Sequence, residues 1–172
     1  MMQNGDCMRP PAIALDNILQ LGPPLLRMEI PESYRDSNGH MNVRWYVAIF
    51  DDASDVLHEQ MGLTPEFHKA HGSGTFDLEH HIHYLKESLP GERVAVYVRY
   101  IAASAKRLQY VMFLVNESRG ELSATLECIN AFADLRVRKT APWPDAAARK
   151  IAEEVAAGER LPWPVHVYAE HC

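Results

Sequence analysis

A chain of 172 residues, 47% hydrophobic and 23% charged, is ordinary for one globular domain and long enough to bury a core. Its formal charge of −6 and pI near 5.8 offer no basic stripe to a phosphate backbone, which argues against nucleic acid as a partner. No run of about 18 apolar residues, no cationic leader and no C-x-x-C spacing among Cys7, Cys128 and Cys172 can be found; the expectation is a soluble cytoplasmic protein with no membrane partner and no disulfide scaffold.

Residues 1–24 end in Gly22-Pro23-Pro24 and read as a loosely packed N-terminal arm with one short helical turn. Residues 25–33 have the length of a strand, with Pro31 placing its end or an edge there. After a polar turn, Val43, Tyr46, Val47, Phe50, Ala53, Leu57 and Met61 recur at steps of three and four, while Asp51, Asp52, Asp55, His58 and Glu59 take the other side. That spacing predicts an amphipathic helix of about five turns, capped by Asn42 and stopped by Gly62. A second short helix is expected from Thr64, with Pro65 in its first turn. Residues 75–85, 93–102, 108–116 and 121–137 carry the alternating or continuous β-branched and aromatic residues of strands. Short links at Pro90-Gly91, 104–106 and 118–120 make the sheet antiparallel. A tail helix should run over 145–157 and end at Gly158, so the chain divides into an arm (1–24), a domain (25–144) and a C-terminal helix and tail (145–172). The class is α+β, most simply a five-stranded antiparallel sheet wrapped around the long helix.

The stretch Y-R-D-S-N-G-H-M-N-V-R-W-Y, residues 34–46, carries the chemistry. A helix start presents unpaired backbone N–H groups and a partial positive charge, a setting for an oxygen on which negative charge develops. That start falls near Asn42 to Trp45, six residues after Asp36, and Gly39 between them allows close backbone approach. A carboxylate facing an oxyanion site suits attack on an activated carbonyl, by water or by the carboxylate itself. A thioester fits best, because a thiolate whose acid has a pKa of roughly 8.5 leaves without a strong general acid. The same residues also spell a common turn and cap, so a structural role for Asp36 stays open on the residues alone.

The run D-S-N-G-H-M-N-V-x-W-Y, the apolar helix behind it, Y-L-K-E-S-L-P-G-E-R-V and the closing A-x-x-D-L-x-x-R-K-x-x-P-W-P together resemble the hotdog-fold thioesterases, in particular the 4-hydroxybenzoyl-CoA thioesterase-like group, over roughly residues 26–144. The resemblance implies an acyl-CoA thioesterase needing no cofactor, with coenzyme A entering as part of the substrate. It implies Asp36 as the catalytic carboxylate, the backbone N–H near Val43 as the group that polarises the carbonyl, and His40 and Asn42 in support. It also implies a homodimer paired edge to edge, with pairing into a tetramer left open, and an active site at that interface. The residues after Asp36 differ from those of the namesake enzyme, so its aromatic substrate is not carried over.

Further candidates are Gly39, Trp45, Tyr46, Phe76, Glu79 and His81 for substrate, and Lys106 and Arg107 for the phosphates of coenzyme A, with a solvated turn as the other reading of that pair. Aromatic faces beside a carboxylate also suit a quaternary ammonium group, as in the betaine-type esters that some relatives of the group cleave, with core packing as the alternative. In L-E-H-H-I-H-Y-L, residues 78–85, alternation puts Glu79, His81 and His83 on one face and His80, Ile82 and Tyr84 on the other. A His-x-His row with a glutamate is part of a metal site at most, and without a matching ligand cluster no metal is expected. His71-Gly72-Ser73-Gly74-Thr75 lacks the spacing and the following helix of a serine nucleophile elbow. Two functions remain: hydrolysis of a small or medium acyl-CoA, or a non-catalytic hotdog protein that binds an acyl or other small ligand or acts as a scaffold.

Overall fold

In the computed structural model, which describes residues 13–165, 167 and 168, a single long helix lies in the concave face of one antiparallel sheet. Ahead of it come the short helix α1 (Leu15–Leu19) and the strand β1 (Leu26–Glu29). The long helix α2 (Val43–Gln60) begins where the spacing predicts: Asn42 is extended and its side chain accepts the Arg44 N–H. Its buried face is Tyr46, Ile49, Phe50, Ala53, Leu57 and also His58, whereas Val43 and Val47 are 55% and 38% exposed. The expected apolar stripe is therefore rotated, because the curved sheet covers the helix from the side of Ile49 and leaves Val43 and Val47 at its open flank. Met61 and a left-handed Gly62 end the helix, and α3 (Pro65–His71) follows with Thr64 as its cap.

The sheet contains β2 (Ser73–Tyr84), β3 (Arg93–Ala103), β4 (Arg107–Asn116), β5 (Glu121–Asp134) and β6 (Lys139–Thr140). Its order is β1-β3-β4-β5-β2, with β6 added beside β5, so among the described residues the expected five strands become six. The first strand is shorter than 25–33 because Pro31 opens a 3-10 turn at Glu32–Tyr34. Likewise β5 stops before 137: Leu135 and Val137 sit exposed in the tip that turns back into β6. Val94, Val96, Tyr110, Met112, Leu114, Leu126, Cys128 and Phe132 face the helix. Fully burying a side chain such as Phe50 or Leu57 there contributes about 1.5–3 kcal/mol.

The outer face is clothed as well. Ile18 of α1 and Trp163 pack on Ala95, Tyr97, Val111, Phe113 and Val115, so residues 13–24 are not a loose arm; residues 1–12, with Cys7, and Cys172 lie outside the described residues. The tail helix α4 (Asp145–Glu159) runs through Gly158 rather than ending at it. That glycine is needed for proximity: a Cβ there would stand 2.3 Å from the Tyr100 carbonyl oxygen, and Arg99 donates to the Gly158 carbonyl at 2.9 Å. No helix among the described residues is long and apolar enough to cross a membrane.

Candidate active site

Asp36 sits in a tight turn closed by backbone pairing of Arg35 with Met41. The Asp36 N–H donates to the His40 carbonyl at 2.9 Å, and Gly39 N–H returns to the Asp36 carbonyl at 3.1 Å. Gly39 has φ +88, a left-handed conformation that glycine adopts without strain. That is its role, since a Cβ there would meet only the end of the Arg35 side chain, at 3.9 Å, and it does not line the cleft described below. Within the turn the Asn38 N–H donates to Asp36 Oδ1 at 2.7 Å, an Asx-type bond that fixes the carboxylate. Asp36 Oδ2 stands 3.4 Å from His40 Nδ1, which is equally far from the Met41 carbonyl. One carboxylate oxygen is thus held by the backbone and the other turns toward an imidazole.

Asn42 ties this turn to the helix: its N–H donates to the Tyr34 carbonyl at 2.9 Å while its side chain caps Arg44. Val43 is the first helical residue, so its N–H has no acceptor within the helix and is available to a ligand. Asp36, His40, Val43, Tyr46, Tyr84 and Glu87 line one cleft of about 350 Å³. Tyr46 and Tyr84 meet edge to face at 5.3 Å, and the Tyr46 hydroxyl donates to the Lys86 carbonyl at 3.4 Å. Burial raises the Tyr46 pKa, keeping that hydroxyl protonated. A carboxylate, the first residue of a helix and two aromatic rings therefore share one volume.

Other expected site residues lie elsewhere within the chain. Trp45 stacks flat on Tyr34, with centroids 3.9 Å apart, outside the cleft lining. Phe76, Glu79 and His81 pair across from Ala131, Ile129 and Glu127, on the sheet face away from α2. His81 bonds to Glu79 at 2.5 Å and stacks on Tyr168. Lys106 and Arg107 stand in the β3–β4 turn, with Arg107 beside Ala131 and so level with Phe76. Phe76 and Tyr84 are eight residues apart on β2, roughly 26 Å at 3.3 Å per residue, so that pair is at the far end of the sheet from Asp36. Tyr84 and Glu87 were missed as site residues. The inward alternation of His80, Ile82 and Tyr84 was the signal available for Tyr84; Glu87 arrives only because residues 85–87 fold back past the helix start.

Residues 32–151 match the model of the Thioesterase-like superfamily. The chain is 33% identical over 131 residues to the L-carnitine dehydrogenase/betainyl-CoA thioesterase of Agrobacterium fabrum; the match covers 76% of this chain and only 26% of that protein, so the chain spans about a quarter of its length. It is 29% identical over 135 residues to the Betainyl-CoA thioesterase of Pseudomonas aeruginosa, covering 78% of this chain and 84% of that one. Among solved structures it resembles the Staphylococcus aureus protein SAV2348, solved in complex with CoA, at a TM-score of 0.76 and 24% identity, over 84% of this chain and 92% of that one. The shared architecture, an antiparallel sheet curled around one helix, is the hotdog fold.

Proposed function

Because this chain belongs to the Thioesterase-like superfamily, we propose that it hydrolyses an acyl-CoA thioester to the free acid and CoA, with Asp36 as the reacting carboxylate. The observation that carries this reading is the cleft shared by Asp36 and the first turn of α2. A thioester carbonyl placed against the Val43 N–H develops its negative charge where a preformed donor and the helix dipole stabilise it. Asp36 then supplies the attack, either by taking a proton from water or by bonding to the carbonyl carbon itself. The carbon–sulfur bond breaks and the thiolate of CoA departs without a strong acid. His40 orients the second Asp36 oxygen, and Asn42 fixes the helix start.

The acyl group we assign is a short one bearing a quaternary ammonium. Similarity to betainyl-CoA thioesterases supports it, as do the two tyrosine rings beside the carboxylates of Asp36 and Glu87. A cation over such rings gains about 0.5–2 kcal/mol per good contact. The twelve-residue β2 has no strand on its outer side among the described residues, an edge that a second copy can cover. Antiparallel pairing of two β2 strands would bring the Phe76 end of one chain beside the Tyr84 end of the other. In such a homodimer Lys106 and Arg107 of each protomer serve the CoA phosphates at its partner's Asp36 cleft.

Thiol release from a panel of CoA esters tests the reading. Asp36→Asn should lower kcat at least about a hundredfold with the fold intact; unchanged turnover removes Asp36 from the mechanism. Betainyl-CoA should be cleaved faster than its neutral isostere 3,3-dimethylbutyryl-CoA, and equal rates exclude a cationic pocket. If the folded protein cleaves no ester, the non-catalytic binding protein takes the place of the enzyme.

A further inference from the structure

We propose that Asp77, His80 and Cys128 form a binding site for one divalent transition-metal ion, of the zinc or cobalt type, on the inner face of the sheet. The site is separate from the Asp36 cleft: Asp77 and Tyr84 are seven residues apart on β2, roughly 23 Å.

A strand irregularity builds it. On a regular strand Asp77 and His80, three residues apart, would point to opposite faces. Between Asp77 and Glu79 the register with β5 shifts by one residue, a β-bulge at Leu78. Asp77 therefore pairs with Asn130 and His80 with Cys128, and all four side chains turn toward α2. One ligand atom from each of Asp77, His80 and Cys128 lies within 4.8 Å of the other two. His80 Nε2 is 3.0 Å from Asp77 Oδ2, and the Cys128 thiol donates to Asp77 Oδ1 at 3.3 Å. Carboxylate oxygen, imidazole nitrogen and thiolate sulfur form a donor set suited to a borderline-soft ion, and three protein ligands leave one position open.

The surroundings supply what such a site needs. Asn130 Nδ2 donates to Asp77 Oδ1 at 2.6 Å, an outer-shell bond that would orient a ligating carboxylate. The other end of that amide, Asn130 Oδ1, is buried beside Nε2 of His58, whose residue is only 6% exposed. His58 lies near enough to feel both the Asp77 charge and the Asn130 amide. Among the described residues neither Lys nor Arg pairs with Asp77, while Asp51 of α2 adds negative charge nearby. Cys128 is wholly buried, whereas the side chains of Asp77 and His80 keep 28% and 32% of their surface exposed, which gives an ion a way in. On binding, the Cys128 S–H bond breaks, a sulfur–metal bond forms and the thiol proton passes to solvent. The proton on His80 Nε2 leaves for Nδ1 or solvent, freeing a lone pair. The Glu79, His81 and His83 row, on the opposite face, takes no part.

The full chain, freed of metal with a chelator and titrated with Co2+, should bind one equivalent and develop a thiolate-to-cobalt charge-transfer band. Cys128→Ser should abolish the band, and His80→Gln and Asp77→Asn should each weaken binding at least about tenfold. Cys7→Ser, Cys172→Ser and His83→Gln should leave it in place. A folded chain that gives no such band overturns the site, and so does a band that persists in Cys128→Ser or a cobalt affinity that is unchanged in His80→Gln. Because His80 is partly exposed, its variant keeps the test decisive even if Cys128→Ser does not fold.

Discussion

Asp36 and Asp77 are two aspartates at the helix–sheet layer, and their carboxylates are held by opposite means. Asp36 is fixed by its own turn, through the Asn38 N–H and the neighbouring His40, and it opens onto a cleft. Asp77 is fixed from across the sheet: Asn130 and Cys128, about fifty positions later, donate to one oxygen, and His80 sits on the other. Burial by itself would raise the Asp77 pKa, but the hydrogen bonds from His80, Asn130 and Cys128 outweigh it and hold the group at about 2. A carboxylate with an open side can act on a substrate, whereas one whose two oxygens are both held by donors holds structure or, once the thiol and imidazole protons are displaced, an ion.

Removing the unpaired N–H at the start of α2 should disarm the cleft while leaving Asp36 and its turn in place. Val43→Pro takes away only an N–H: proline is welcome at the first helical position, and Asn42, at ψ 143, already has the extended conformation that a following proline requires. We expect kcat to fall about a hundred- to a thousandfold, as for loss of an oxyanion donor, with the Tm nearly unchanged. Val43→Ala, which keeps the N–H, should stay close to wild type. Equal rates for the proline and alanine variants would remove the helix start from catalysis.

Asp77 can be tested without touching a ligand. Deleting Leu78 removes the extra residue of the bulge and leaves Asp77 and His80 two positions apart on a regular strand, still opposite Asn130 and Cys128 and on the same inner face. Cobalt binding should therefore survive, with a thermal-unfolding loss of about 1–3 kcal/mol. Loss of the cobalt band in a folded deletion variant would mean that facing inward is not enough and that the bulged geometry itself sets the cluster.

A third carboxylate, Glu92, is held by a turn and a neighbouring strand together. Its Oε2 accepts from the Leu89 N–H and from Asn116 Nδ2, both at 2.7 Å, and its Oε1 pairs with Arg119. Burial alone would raise its pKa, but those bonds and the Arg119 charge lower it below the ordinary 4.5. The stabilisation is therefore present above about pH 4.5 and lost as the pH falls through the lowered folded value. Glu92→Gln should cost about 1 kcal/mol at pH 7 by denaturant unfolding, and wild type and variant should converge in acid. A stability gap that stays constant down to low pH would show that the charge of Glu92 contributes nothing.

What the sequence determined by itself was short-range. The Asn42 and Thr64 caps, the turns at Gly91 and Gly120, the length of α2 and the nearness of Asp36 to Val43 all follow from residues a few positions apart, whose geometry the backbone fixes locally. Tertiary structure decided which flank of α2 the sheet would cover, and so left Val43 and Val47 exposed and buried His58. It also carried Tyr84 and Glu87 to Asp36, kept Lys106 and Arg107 at the other end of the same chain, and turned His80 and Asp77 toward Cys128. Those outcomes depend on strand register between distant segments. One extra residue at Leu78 reverses which side chains face inward, and the spacing of residues along β2 alone carries no mark of that reversal.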